Sequence, residues 1–174
     1  IDECFLDFSG FGLYDLKEYG EDIVRTVTKG TGIPVSMGIA PTKTLAKVTN
    51  KFTKKHKGYK GVCIIDTEEK RIEALKHTEI GDVWGIGGRH AKRLEKYGVH
   101  NALEFAQMPK AWVRQQMTVV GERTWKELNS EPCIDMEQIA PPKKQICTSR
   151  AFGQTITEIE GLEEAVSSFA SICA

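Results

Sequence analysis

IPVSMGIAPTKTLAKVTNKFTKKHKGYKGVCIID, residues 33–66, decides the fold class. IPVSMGIA reads as a strand and APTKTLAKVTNKFTKKHKG as a helix. In that helix Thr42 is placed to cap the N-terminus, and Leu45, Val48 and Phe52 form one inward stripe. GVCIID reads as a second strand. Strand, helix and strand in succession predict an α/β layer architecture through about residue 66.

Upstream, YGEDIVRTVTKGTG (19–32) predicts a helix with Ile23, Val24 and Val27 on its apolar face and Gly30 and Gly32 at its end. CFLDFSGF (4–11) predicts a further strand, closed by Gly10 and Gly12. Asp2 and Glu3 sit at its start among Ile1, Phe5, Leu6 and Phe8. A bare carboxylate in an apolar setting is costly unless something compensates it, and a metal ion could. Two readings stand: metal-holding acids, or surface acids on a frayed strand end. Neighbours in a regular strand point to opposite faces, so both reach one metal only at a strand end or bend. At least one more carboxylate would be needed, and Asp7, on the opposite strand face from Asp2, is a poor candidate.

Downstream the texture changes. TEEKRIEALKHTEIGDV, GRHAKRLEKYGV, NALEFAQ and PKAWVRQQMTVVGERTWKELNSEP predict a small all-helical unit over residues 67 to about 135. DMEQIAPPKKQ, with Pro141 and Pro142, reads as a linker over about 136–144. QICTSRAFGQTI predicts a strand that opens a further α/β domain over 145–174, and GLEEAVSSFASICA follows as an amphipathic helix. The first residue is not Met, and that helical pattern is still running at the last one, so the 174 residues read as an excerpt of a longer chain.

Composition sets the class. With 40% hydrophobic and 28% charged residues the chain can bury a real core. No run approaches the roughly 20 apolar residues of a membrane span, and the start lacks a signal-peptide layout, so a soluble intracellular protein is expected. Five scattered cysteines without a C-x-x-C pair read as reduced thiols. The net charge of zero hides an asymmetry: acids dominate up to Asp22, and none occurs from Ile23 to Ile65, where nine Lys and Arg residues lie between Arg25 and Lys60. An acidic edge followed by a basic block suits a protein that holds both metal ions and phosphates.

Two motifs sharpen this. Lys43, Lys47, Lys51 and Lys54 or Lys55 recur at spacings of three or four and share one helix face. That face is either a solvated surface or a set of point charges for a triphosphate or a nucleic-acid backbone. DVWGIGGRHAKRLEKYGVHNALEFAQ (82–107) places Gly85, Ile86 and Gly87 in a tight turn between two short helices, with Ala91, Leu94 and Val99 as core positions and Gly98 ending the second helix. This layout resembles the helix-hairpin-helix motif, in which backbone N–H groups at a helix N-terminus receive a DNA phosphate. Arg89, Lys92 and Arg93 lie close by. The bland alternative is an ordinary helical turn. The four histidines show no ligand spacing, and Trp84, Trp112 and Trp125 read as packing residues.

Taken together, IDECFLD, GIAPTKTLAKVTNK, DVWGIG, GERTWKELNSEPC and CTSRAFG resemble the Y-family, lesion-bypass DNA polymerases, most specifically their UmuC-type branch, in order and over essentially the whole chain. The resemblance implies part of a palm domain at 1–66, a thumb containing the helix-hairpin-helix at 67–135, a linker at 136–144, and the start of a little finger at 145–174. It implies that Asp2 and Glu3 are two of three carboxylates holding two Mg2+ ions, the third lying outside this chain with the fingers. It implies that Lys47, and less directly Lys43, neutralises the incoming triphosphate, and that Gly85 to Gly87, Arg89 and Lys92 hold DNA phosphate. The implied substrates are primer-template DNA and dNTP. The implied partners are a UmuD-type subunit, a recombinase filament and a sliding clamp, in an SOS-type damage response in the bacterial cytoplasm, at the nucleoid. By itself the excerpt would be inactive. The rival reading is a non-catalytic helix-hairpin-helix DNA-binding module of a repair protein.

Overall fold

The computed structural model describes residues 3–55, 60–136 and 145–173, with the side chain of Lys55 outside that set. The chain divides into two compact units, residues 1–136 and 137–174. In the first, helix α1 (Leu16–Thr31) leads to strand β1 (Met37–Ile39), helix α2 (Lys43–Lys55) and strand β2 (Val62–Ile64). The two strands pair in parallel, Met37 opposite Val62 and Ile39 opposite Ile64, with α2 as the crossover. The α/β expectation for this stretch therefore holds.

Local chemistry sets the helix ends. Asp15 caps α1 by accepting from the N–H groups of Lys17 and Glu18, which starts the helix three residues earlier than the apolar pattern implies. Gly30 lies inside α1, and Gly32, at φ 72°, ends it. Thr42 caps α2 as expected: its hydroxyl accepts from Leu45 N–H at 3.3 Å and donates to the Glu127 carbonyl at 2.7 Å. Leu45, Val48 and Phe52 are all buried. Gly38 lets β1 lie directly on α2, because a Cβ there would fall 2.3 Å from both the Ala46 carbonyl oxygen and the Asn50 nitrogen.

The expected strand over residues 4–11 does not form. A strand needs a ladder partner, and in the described residues β1 and β2 pair only with each other. The aromatic rings here are taken up by side-chain contacts instead. Phe5 lies 5.6 Å from Trp84, and Phe8 meets Phe11 at a tilt and Tyr19 edge-on. Leu6 is 53% exposed, so the segment is no buried strand.

Residues 67–135 are helical, as expected. They comprise α3 (Glu68–Lys76), a 3-10 turn at Ile80–Asp82, α4 (Gly88–Lys96), α5 (Ala102–Ala106) and α6 (Lys110–Leu128). A capping box between Asn101 and Glu104 starts α5. Thr118, at φ 63° and ψ −166°, kinks α6. The core is continuous: Leu75, Ile80, Leu94, Phe105, Val113 and Leu128 cluster with Leu45, Val48 and Phe52 of α2.

The expected linker falls largely outside the described residues. In the second unit the anticipated helix is present as α7 (Ile159–Cys173). The strand anticipated over 145–156 is absent; these residues are irregular, with Ile146 63% and Phe152 50% exposed, and the strands among the described residues, β1 and β2, pair only with each other.

Candidate functional site

On the basic face of α2, Lys43, Lys47 and Lys51 each meet a compensating group. Lys43 Nζ lies 5.3 Å above the Phe5 ring and also donates to the Asp135 carbonyl. Lys47 Nζ lies 2.7 Å from Glu3 Oε2 and 5.0 Å over the Trp84 ring. Lys51 Nζ lies 2.5 Å from Asp82 Oδ1. These contacts explain how like charges four residues apart on one helix are tolerated. The Glu3–Lys47 pair is partly exposed, 57% and 28% by side chain, so it contributes only about 0–1 kcal/mol. Its value lies in where it puts the charges.

Asp2 lies outside the described residues. Glu3 presents an exposed carboxylate, an oxygen donor of the kind that hard divalent cations take. Among the described residues no group of three or more His, Cys, Asp or Glu side chains converges as a metal site. Among the described residues Glu3 is a single oxygen donor and does not by itself make a metal site. Asp7 is engaged elsewhere: it accepts from Ser9 N–H at 2.8 Å, and the Ser9 hydroxyl and N–H hold its carboxyl below the usual range.

The turn at 85–87 follows directly from Trp84. Gly85 adopts φ +89°, a conformation side chains disfavour, and a Cβ there would come within 3.0 Å of Thr124 Oγ1. Ile86 is buried and its N–H bonds to the Val83 carbonyl at 3.0 Å, which anchors the turn. Gly87 is the N-cap of α4 and offers no side-chain cap, and Gly88 and Arg89, which open the helix, are exposed. Lys92 is exposed one turn on. Ala91, Leu94 and Val99 are buried as expected, and Gly98, at φ +80°, follows the helix end at Tyr97. The element before the turn is a single 3-10 turn rather than an α-helix. Arg93 differs from its neighbours, since its guanidinium donates to the Gln116 carbonyl and so braces α4 against α6.

Two residues had roles that sequence reading missed. Trp112 and Trp125 do pack against the core, and the indole of Trp125 donates to the Met108 carbonyl at 3.0 Å. Trp84 instead is 38% exposed and stands between Phe5 and Lys47. Glu127, in the middle of GERTWKELNSEPC, is fully buried. Its carboxylate accepts from Thr44 N–H at 3.0 Å, Cys133 N–H at 2.8 Å and Ile134 N–H at 3.2 Å. The cysteines are free thiols, with Cys63 pushed up by burial. Among the described residues no helix is long and apolar enough to cross a membrane.

Comparison with known proteins is consistent across sequence and fold. The model of the impB/mucB/samB family matches residues 1–51. Protein UmuC of Salmonella typhimurium is 39% identical over 173 residues, covering 98% of this chain and 41% of UmuC. DNA polymerase IV of Pseudomonas fluorescens is 28% identical over 127 residues, covering 72% of this chain and 35% of that protein. A chain of a Dbh ternary complex superimposes with a TM-score of 0.52 at 20% identity, over 72% of this chain and 34% of that one, a likeness of fold alone. The chain thus spans about two fifths of the length of UmuC. The chain is thus similar to the impB/mucB/samB family model over residues 1–51 and to UmuC over nearly all of its own length.

Proposed function

We propose that the protein is a template-directed DNA polymerase of the Y family, copying past damaged template by two-metal nucleotidyl transfer. The observation that carries this reading is the junction at Lys47, where a candidate metal-ligand acid, Glu3, and the residue preceding the hairpin turn, Trp84, meet one ammonium. A phosphate held by Lys47 would lie beside the acids and within reach of the hairpin side of the molecule. The 39% identity to UmuC and the likeness to DNA polymerase IV support the same chemistry.

In this reading residues 1–66 are palm, 67–135 thumb, 136–144 linker, and 145 onward little finger. Asp2 and Glu3, with a further carboxylate, would hold divalent ions, Mg2+ by preference, which supply Lewis acidity to the primer hydroxyl and charge to the departing pyrophosphate. Lys47 balances the triphosphate as a point charge, with Lys43 beside it. The turn Gly85–Gly87 and the first turn of α4, flanked by Arg89 and Lys92, hold DNA backbone without reading sequence. A damage-induced setting, a UmuD-type subunit, a recombinase filament, a sliding clamp and a place in the bacterial cytoplasm at the nucleoid belong to the same proposal.

Primer extension by the full-length protein, wild type against Glu3→Ala, tests it, with DNA affinity measured in parallel. Extension should require a divalent ion and vanish in Glu3→Ala while DNA affinity stays within a few fold. Extension unchanged in the variant, or absent in both proteins, would overturn the proposal and leave a DNA-binding module as the better account.

A further inference from the structure

We propose that Trp84 is a positioning residue for Lys47: its indole face holds the lysine ammonium in place for the incoming nucleotide's phosphates. The proposal rests on the reading of Lys47 as a phosphate ligand. The structure places four side chains in a ladder, Lys43 over Phe5 at 5.3 Å, Phe5 against Trp84 at 5.6 Å, and Lys47 over Trp84 at 5.0 Å. Trp84 is the one tryptophan of the three that stands apart from the buried core and its packed rim. At 38% exposed it is poorly accounted for by packing alone.

The physical logic lies in what a ring offers a lysine. Lys47 has a long, flexible stem, and fixing it at the moment of nucleotide binding costs rotamer entropy. A carboxylate partner such as Glu3 would fix it but would also neutralise it. An aromatic face attracts the ammonium through the ring quadrupole, carries no countercharge, and leaves N–H donors free. Under the proposed function Glu3 is occupied with metal when nucleotide binds, so the ring is the partner that remains. Because Trp84 immediately precedes Gly85, the same residue ties the lysine's position to the hairpin turn.

The test uses the full-length protein with Trp84→Phe, Trp84→Leu, Lys47→Ala and the Trp84→Leu/Lys47→Ala double variant. Trp84→Leu should raise the KM for dNTP by about 3- to 10-fold, as expected for loss of a partly exposed cation–π contact, with the effect on KM rather than kcat. Trp84→Phe should recover most of the loss. In the Lys47→Ala background Trp84→Leu should add nothing further. Phe and Leu variants that behave alike, or effects that add in the double variant, would reduce Trp84 to packing and overturn the proposal. A separate readout reports the contact without activity: the Lys47 ε-methylene protons should show an upfield ring-current shift that Trp84→Leu abolishes. Absence of that shift in the wild type overturns the proposal and leaves the polymerase reading intact. A Lys47→Ala variant with unchanged KM overturns the phosphate role of Lys47, and this proposal falls with it.

Discussion

The buried carboxylate of Glu127, at the end of α6, accepts the backbone N–H of Thr44 in the first turn of α2 at 3.0 Å. A helix N-terminus leaves N–H groups without partners and favours negative charge, so a carboxylate suits this position. The same carboxylate accepts from Cys133 and Ile134, while Thr42 donates to the Glu127 carbonyl. One acid thus joins the helix that carries the candidate phosphate lysines to the helical segment that follows it.

Removing that acid should be severe. Glu127→Ala orphans the buried Thr44 N–H and the part-buried N–H groups of Cys133 and Ile134, so a loss of about 1–3 kcal/mol from the Thr44 donor, with a further loss from the other two, is expected. Glu127→Gln keeps one carbonyl acceptor but turns an NH2 toward a donor, and should lose about 1–3 kcal/mol. Urea denaturation midpoints at constant m-value measure both. A Gln variant as stable as the wild type would show that the charge is dispensable there.

Gly38 sets how closely β1 approaches α2. A Cβ there would meet the α2 backbone at Ala46 and Asn50 at 2.3 Å, and backbone cannot swing aside as a side-chain tip can. Gly38→Ala should therefore destabilise by about 3 kcal/mol through forced separation of strand and helix. Thermal denaturation of the purified variant reads this directly, and an unchanged Tm would mean that the layer yields more easily than the contact implies.

The α2 helix was legible in the sequence because its cap, its 3.6-residue stripe and its lysine spacing are all local. Its neighbours were less so, each for a physical reason. Residues 4–8 carry strand-like composition, but composition does not reveal whether a ladder partner exists, and here the aromatic rings pack elsewhere. Asp15 lies outside the apolar run that marks α1, so the true start was hidden. Glu127 reads on a helical pattern as a surface acid; only the loop at 133–134 and the start of α2, both distant or irregular, bury it. The lysine–ring contacts needed residues 5, 43, 47 and 84 brought together, which no local window contains. The turn at 85–87, by contrast, follows from its glycines, and Gly85 does take the positive φ that such a turn demands.

Acid should weaken the α5 capping box. The His100 and Asn101 N–H groups bond to the Glu104 carboxylate, His100 the larger effect, and hold its pKa below the ordinary glutamate range. A depressed folded-state pKa means that the stabilisation is fully present above the unfolded glutamate value and is lost as pH falls through the lower, folded one. Stability measured from pH 6 downward should therefore drop less steeply in Glu104→Gln than in the wild type. Parallel curves would indicate that the box contributes nothing to the acid transition.

The turn at 85–87 makes a prediction about salt. Arg89 and Lys92 are exposed beside the uncapped start of α4, whereas the guanidinium of Arg93 is committed to the Gln116 carbonyl. If Lys92 meets a DNA phosphate, Lys92→Ala should weaken duplex binding uniformly across sequences and reduce the slope of log K against log salt by about 0.9, the release expected for one phosphate contact. Arg89→Ala should behave alike. Arg93→Ala should lower thermal stability instead, because it removes a brace between α4 and α6, and should leave the salt slope close to wild type. Fluorescence anisotropy with labelled duplex between about 50 and 200 mM salt separates the two classes, a range over which several phosphate contacts change affinity by orders of magnitude. An unchanged slope for both Lys92→Ala and Arg89→Ala would place the DNA backbone away from this turn, while a reduced slope for Arg93→Ala would mean that its guanidinium leaves Gln116 for phosphate when DNA is bound.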